Sequence, residues 1–274
     1  MTQSTRTGSA LRASPALLFL VTLVAAAVAA PALAPFAADA VDLANRRAAP
    51  SGTHWFGTDE LGRDVLTRVL TGARVSLAIG LLSAIASAGV GTLVGSVAGM
   101  SRGWLDDLLM RVTDAMLAIP RLPLLMLAAA VVQPGIPALI VLVALTGWME
   151  TARVVRADVL SLGSREFIQA AHAMGATPTR VLVRHLLPAV VPTLSVATTL
   201  AIGRAILLES TMSFFGVGVQ PPTASWGNML YQAQSTMSSE PWLAVFPGLF
   251  IFATVLACNV VGDSLGHVPR RQTA

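Results

Sequence analysis

Two sets of side chains in this sequence have the types and spacing to do chemistry. The first is the run His54-Trp55-Phe56-Gly57-Thr58-Asp59-Glu60-Leu61-Gly62-Arg63-Asp64. An imidazole beside Asp59, Glu60 and Asp64 could hold a divalent metal or move protons. Arg63 mixes the charge, however, and the run lies outside the apolar stretches, which favours a solvated, internally paired helix start. His54, His172, His185 and His267 show no clustered ligand spacing, so no metal site is expected. There is no nucleophile–base arrangement and no His-Glu-x-x-His, so no catalytic residues are expected. All 18 basic residues are Arg. Without Lys there can be no Gly-x-x-x-x-Gly-Lys-Ser/Thr phosphate loop.

The second set is Asp114, Arg121, Arg204 and Glu209, charged residues within apolar runs. Charges at such positions are costly in a bilayer and mark either pairing between helices or the path of a solute. Arg204 and Glu209 are five residues apart, about 140° around a helix, so they do not pair within one helix.

The elements that must position these groups are hydrophobic. The chain is 54% hydrophobic and 12% charged, with mean hydropathy +0.71, against about 25% charged in a soluble domain. Apolar runs at about 16–36, 75–99, 112–132, 135–153, 188–209 and 242–262 each approach the roughly 20 residues that cross a bilayer as helix. Helix is the expected form, because the runs lack strand-like alternation and the bilayer has no water for unpaired backbone groups. The expected fold is therefore all-α and integral to the membrane, with six transmembrane helices. Pro120, Arg121 and Pro123 interrupt the third run. Either that span starts near Leu122 or a kinked helix lines a cavity.

Arg6 and Arg12 precede the first run, which is longer than the roughly 7–15 residues of a signal-peptide core. An uncleaved first span is favoured over a cleaved signal, which would leave an odd number of spans. The five Trp, at 55, 104, 148, 226 and 242, fall at span ends or in connections, as interfacial belts require. Cys258 lies in an apolar run and reads as a small buried hydrophobe. The net charge of +4 is scattered between spans, so no nucleic-acid partner is expected.

An even span count places the tails 1–15 and 263–274 on one side. The 154–187 connection carries four Arg against two acids, and the 37–74 connection five against five. The positive-inside rule favours a cytoplasmic 154–187 by a small margin.

Within 154–187 lies a polar island. Ser164 can cap a helix with Glu166 in its first turn. Phe167, Ala171 and Met174 recur at helical spacing, and Gly175 can take the left-handed stop. Thr177-Pro178 can start a second helix, with Val181, Leu182, His185 and Leu186 as its apolar side, before Pro188 opens the next span. Small Ala170 and Ala171 allow another protein close to the backbone. The alternative is an ordinary amphipathic connector.

This island resembles the EAA loop of the permeases of ABC-type importers, a Glu-Ala-Ala start, a Gly four residues after the second Ala, and a Leu-Pro beyond it. Ala170, Ala171, Gly175, Leu187 and Pro188 match in register, Gln169 replaces the acid, and His185 stands where many members have an aliphatic residue. The 54–64 run resembles the signature ahead of the second span in dipeptide, oligopeptide and nickel permeases. Ser213 to Pro222, Ser225 to Leu230, Trp242 to Gly248 and Asn259 to Asp263 continue the likeness to the end of the chain. The chain is most similar to the second permease of such systems.

The resemblance implies the type I permease fold, with a permease domain over 75–262 and a cytoplasmic coupling loop at 154–187. It implies a multi-pass protein of the cell (inner) membrane with both termini cytoplasmic and with 37–74 and 210–241 outside. Implied partners are a second homologous permease, two ATPase subunits that hold ATP and Mg, an extracytoplasmic solute-binding protein, and a peptide-like substrate moved by alternating access. No cofactor would bind this chain. Glu166, Phe167, Gln169, Ala170, Ala171, Met174, Gly175, Arg180, His185, Leu187 and Pro188 are the implied coupling residues, with contact resting on packing because Gln169 lacks the charge. Arg204 or Glu209 is expected to meet a charged end of the substrate. Import of nickel, glutathione or another small solute is the nearest alternative. A stand-alone transporter or channel is the more distant one, and it would have no need of the loop.

Overall fold

The apolar runs become helices, because helix is the form in which each segment pairs its own backbone groups. In a computed structural model of the chain, residues 4–101, 103–132 and 135–266 are described, with side chains from residue 15 onward. His267 and most of the expected C-terminal tail lie outside the described residues. The elements are α1 (Ser4–Leu33), α2 (Val65–Ser101), α3 (Trp104–Ala118), α4 (Arg121–Val132), α5 (Ile136–Leu145), α6 (Trp148–Gly163), α7 (Glu166–Ala173), α8 (Pro178–Val181), α9 (Leu187–Phe214), α10 (Trp226–Ala233) and α11 (Trp242–Gly266). Among the described residues there is no strand; Thr58 and Asp64 form a lone bridge.

Among the described residues, four helical stretches are long and apolar enough to cross a membrane: Pro15–Leu33, Val65–Ser101, Pro178–Phe214 and Trp242–Gly266. Two further pairs qualify jointly, α3 with α4 bent by 81° and α5 with α6 bent by 42°, giving six spans if each pair counts as one. The second helix begins at Val65 rather than near 75. The third run is broken before Arg121, where Pro120 can give no helical hydrogen bond. The fourth continues through a break at Thr146-Gly147 to Gly163.

Helix α2 is the axis of the bundle and packs against α1, α3, α5, α6 and α9. Its closest approach is to α6, across Gly91, Gly95 and Gly99. A Cβ at Gly91 would lie 2.6 Å from both the Thr151 Cβ and the Trp148 carbonyl oxygen. Van der Waals packing of small residues is what holds helices together where lipid removes the hydrophobic drive.

The segments 34–64 and 215–241 pack on each other. Arg63 Nε donates to Asp59 Oδ2 at 2.7 Å and its Nη2 to Gln232 Oε1 at 3.3 Å. Arg47 faces Glu240 at 3.6 Å, and Phe56 stacks on Phe246 of α11 at 3.8 Å. His54 Nδ1 meets Asp64 Oδ1 at 3.0 Å, while the other Asp64 oxygen accepts the Thr67 N–H at 2.8 Å and so caps α2. The 54–64 run is thus internally paired, but Asp59, Arg63 and Asp64 are buried rather than solvated. Nearby, the Asn45 side chain and then the Ala44 N–H hold the Asp42 carboxyl below the usual carboxylate range. Trp226 also departs from expectation. It is fully buried, donating from Nε1 to the Val69 carbonyl at 3.0 Å, and forms no part of an interfacial belt. Trp148 sits at the α5–α6 bend instead of a span end.

Candidate functional site

The polar island folds as two short helices around a left-handed stop. Gly175 has φ +80°, Ala176 N–H donates to the Ala171 carbonyl at 3.0 Å, and Gly175 N–H donates to the His172 carbonyl at 2.9 Å. This is the Schellman pattern that closes a helix and satisfies its last carbonyls. Thr177 accepts the Arg180 N–H at 3.4 Å with Pro178 in the first position, as the sequence suggests. Over Leu182–Leu186 the helix widens to i→i−5 bonding, with Leu187 N–H reaching the Leu182 carbonyl. Pro188 follows directly, and a wide turn accommodates the ring and its missing donor without ending the helix.

Two expectations for the island are corrected. Arg165, not Ser164, occupies the cap position of α7; Ser164 Oγ donates to the Ser161 carbonyl at 2.9 Å. Its backbone carbonyl accepts from Gln169 Nε2 at 3.2 Å, so Gln169 closes the turn from within. The buried face of α7 is Ile168 and Ala171, whereas Phe167 is 50% and Met174 82% exposed. Ile168 and Ala171 join Val155 and Val159 of α6, Val181 of α8, Leu186 of the wide turn after it and Val190 of α9 in one apolar cluster. The island is therefore fastened to the ends of α6 and α9 while Glu166, Phe167, Ala170, Met174 and Arg180 face outward. His185 is half-buried beside the Phe167 ring, and Leu187 is half-buried at the start of α9.

The intramembrane charges separate into three groups. Asp114 pairs with Arg153 in an exposed contact between α3 and α6. Arg156 makes a forked contact to Asp106 between the same helices, at 2.5 and 2.6 Å. Both pairs tie α3 to α6.

Arg121 and Arg204 converge at the α5–α6 break, where a helix ends and another begins in mid-span. The last carbonyls of α5 need donors. Arg121 Nη2 supplies the Val143 carbonyl at 3.1 Å, Ser87 Oγ the Ala144 carbonyl at 3.1 Å, and Thr146 Oγ1 the Leu142 carbonyl at 3.2 Å. Arg121 Nε also donates to Thr146 Oγ1 at 3.0 Å. A cation suits this negative helix end, and Glu150, in the first turn of α6, suits the positive end that faces it. Arg204 Nη1 then meets Glu150 Oε2 at 2.7 Å, with the two side chains 47% and 48% exposed. Ser83, Ser87, Arg121, Gly147, Glu150 and Arg204 line one polar cavity. Glu150 escapes sequence reading because it sits near the end of a counted span. The usable signal is an acid three residues after the Thr146-Gly147 break.

Glu209 is fully buried on the other side of α9. Its Oε1 accepts from Ser213 at 2.8 Å and Ser225 at 2.9 Å, and its Oε2 from Ser76 at 3.1 Å and Ser210 at 3.4 Å. Three of these hydroxyls accept backbone N–H groups in turn, from Val219 to Ser213, Trp226 to Ser76 and Asn228 to Ser225. The carboxylate thus anchors α10 and its preceding loop to α2 and α9. It is closed to a solute here; of the two residues expected to meet substrate, Arg204 is the open one.

Comparison with known proteins gives this geometry its context. The chain is 40% identical over 251 residues to a peptide permease protein of Brucella suis biovar 1, covering 91% of this chain and 83% of that one. It is 42% identical over 254 residues to the glutathione transport system permease protein GsiD of Escherichia coli O6:K15:H31, covering 92% and 84%. In fold it matches a chain of the MetNI methionine ABC transporter, solved in inward-facing conformations, with TM-score 0.63 at 22% identity over 75% of this chain and 98% of that one. The model of the binding-protein-dependent transport system inner membrane component family matches residues 91–271. With its bundle of membrane helices and type I permease fold, the chain belongs to this family of inner membrane transport components.

Proposed function

We propose that the chain is the non-catalytic permease subunit of an ATP-driven importer that moves peptides across the inner membrane by alternating access. It works beside a second permease, two ATPase subunits that bind ATP and Mg, and an extracytoplasmic binding protein that delivers substrate. The observation that carries this reading is the island at α7. A stopped helix, fastened by its inner face to α6 and α9, offers Phe167 and Met174 outward. A stand-alone channel has no use for such a tip. The 154–187 loop and both termini are accordingly cytoplasmic, with the 34–64 and 215–241 segments outside. Of the path candidates Asp114, Arg121, Arg204 and Glu209, the shared polar cavity favours Arg121 and Arg204. The peptide substrate is taken from relatives named as peptide and glutathione permeases; glutathione is the alternative cargo the second of these supports.

The test is Met174→Glu in the full complex. Met174 is 82% exposed, so the fold should keep its wild-type melting temperature while the ATPase ceases to co-purify and peptide uptake into proteoliposomes stops. A variant that retains the ATPase and transports at the wild-type rate sinks the proposal, as would uptake by the chain alone without ATP.

A further inference from the structure

We infer that the Arg204–Glu150 pair, backed by Arg121, is a carboxylate-selecting station in the path, where Arg204 exchanges Glu150 for the terminal carboxylate of a peptide substrate. The inference rests on the peptide-import reading above and names what the substrate meets on its way through.

The station lies at mid-length of the bundle. Arg204 is in the interior of α9 (Leu187–Phe214), Ser83 and Ser87 are in the interior of α2 (Val65–Ser101), and the α5–α6 break divides the fourth span. At that depth a charged side chain is costly against lipid, so open ones face protein or water. Both members of the pair are nearly half exposed. By contrast, Glu209 on the same helix is sealed by hydroxyls. One side of α9 is thus prepared for water or solute and the other for packing.

The charge and shape fit one ligand class. Two guanidinium groups stand against one carboxylate, and Arg121 is committed to the Thr146 hydroxyl and the Val143 carbonyl. Among the described residues Arg204 pairs with Glu150 alone, through one Nη–Oε contact. Its planar fork can hold a carboxylate through two parallel bonds, which Lys could not reproduce. A peptide carboxylate can take the place of Glu150 on Arg204, and the displaced Glu150 stays in the cavity that Arg121 also lines. Because each ion pair replaces another of like kind, capture and release need not leave a buried charge unpaired, which is what a station that must let go of its cargo requires.

The experiment uses the complete complex in proteoliposomes with matched peptides bearing a free C-terminal carboxylate or a C-terminal amide, chosen so that the binding protein holds both equally. Arg204→Gln should slow uptake of the free-carboxylate peptide about tenfold or more and leave the amide unchanged, with ATP hydrolysis stimulated by loaded binding protein intact. Glu150→Gln should act oppositely, retaining the free-carboxylate peptide longer while the amide passes normally. Equal slowing of both peptides, loss of the second permease on purification, or no effect in either variant overturns the inference, because the pair would then serve assembly or nothing in transport. If the wild-type complex moves neither peptide, the peptide-import reading itself falls.

Discussion

Replacing Glu209 with Gln tests whether one carboxylate holds the 215–233 segment in place. The native side chain accepts four hydroxyl hydrogen bonds, two on each oxygen. A carboxamide keeps one acceptor oxygen and turns a donating NH2 toward the other pair of hydroxyls. Charge-assisted bonds contribute about 1.5–3 kcal/mol each, so losing two would cost at most about 6 kcal/mol. One contact is long, at 3.4 Å, and the hydroxyls can rotate to accept from the amide, so about 2–4 kcal/mol is the expected destabilisation. The loss should be local in its first appearance. The Val219, Trp226 and Asn228 amides, each bonded to one of the Glu209 serines, should exchange their hydrogens sooner than the amides of α2 and α6. Hydrogen exchange read by mass spectrometry on the purified protein, together with thermal unfolding, measures both effects. Wild-type melting with unchanged protection over 219–228 would refute the reasoning, because the hydroxyl array would then be holding itself.

Three further outcomes follow from the packing. Gly91→Val drives a side chain into the Trp148 carbonyl and Thr151 Cβ, each 2.6 Å from its Cβ position, and should lower stability by about 1–3 kcal/mol; an unshifted thermal midpoint would contradict the close α2–α6 approach. Gly175→Val strains the φ +80° stop by about 1–2 kcal/mol but meets no atom within 4 Å. It should therefore reduce ATPase-coupled uptake far more than the melting temperature, and the reverse order would argue against a coupling role. Asp106→Asn weakens the forked contact to Arg156, with a cost of about 1 kcal/mol because the arginine is partly solvated; a stability that becomes less salt-dependent in the variant is the expected signature.

Sequence reading succeeded where a local rule sets the outcome. Gly175 stops α7 and Thr177-Pro178 starts α8 because those positions demand a left-handed conformation, a capping oxygen and a dispensable N–H. It failed where the outcome depends on what packs nearby. Phe167 and Met174 share helical spacing with Ala171, but α6 and α9 arrive on the Ile168–Ala171 side and leave the two larger residues outside. Asp59, Arg63 and Asp64 look solvated in sequence because their cover comes from Gln232 and other residues of a distant segment. Glu209 is the sharpest case. Its charge flags it at once, yet the serines that bond it are spread from Ser76 to Ser225 and read singly as small residues. Glu150 is hidden in the sequence because the helix break that makes it a first-turn acid is visible only when Thr146-Gly147 is read as an end and a beginning.

The apolar cluster that binds α7 to α6 and α9 has a mechanical consequence. Those two helices stand like the prongs of a tuning fork with α7 at the handle, and each carries one member of the Glu150–Arg204 pair far up its length. Glu150 is about 20 Å from the lower end of α6 and Arg204 about 26 Å from that of α9, at about 1.5 Å per residue. Tilting one prong by about 10° sweeps its upper charge through about 3.5–4.5 Å on such an arm. That sweep exceeds the 2.7 Å contact between the two groups. A small rotation at the handle is therefore enough to part or join the charges above it, with no helix needing to unwind along the way.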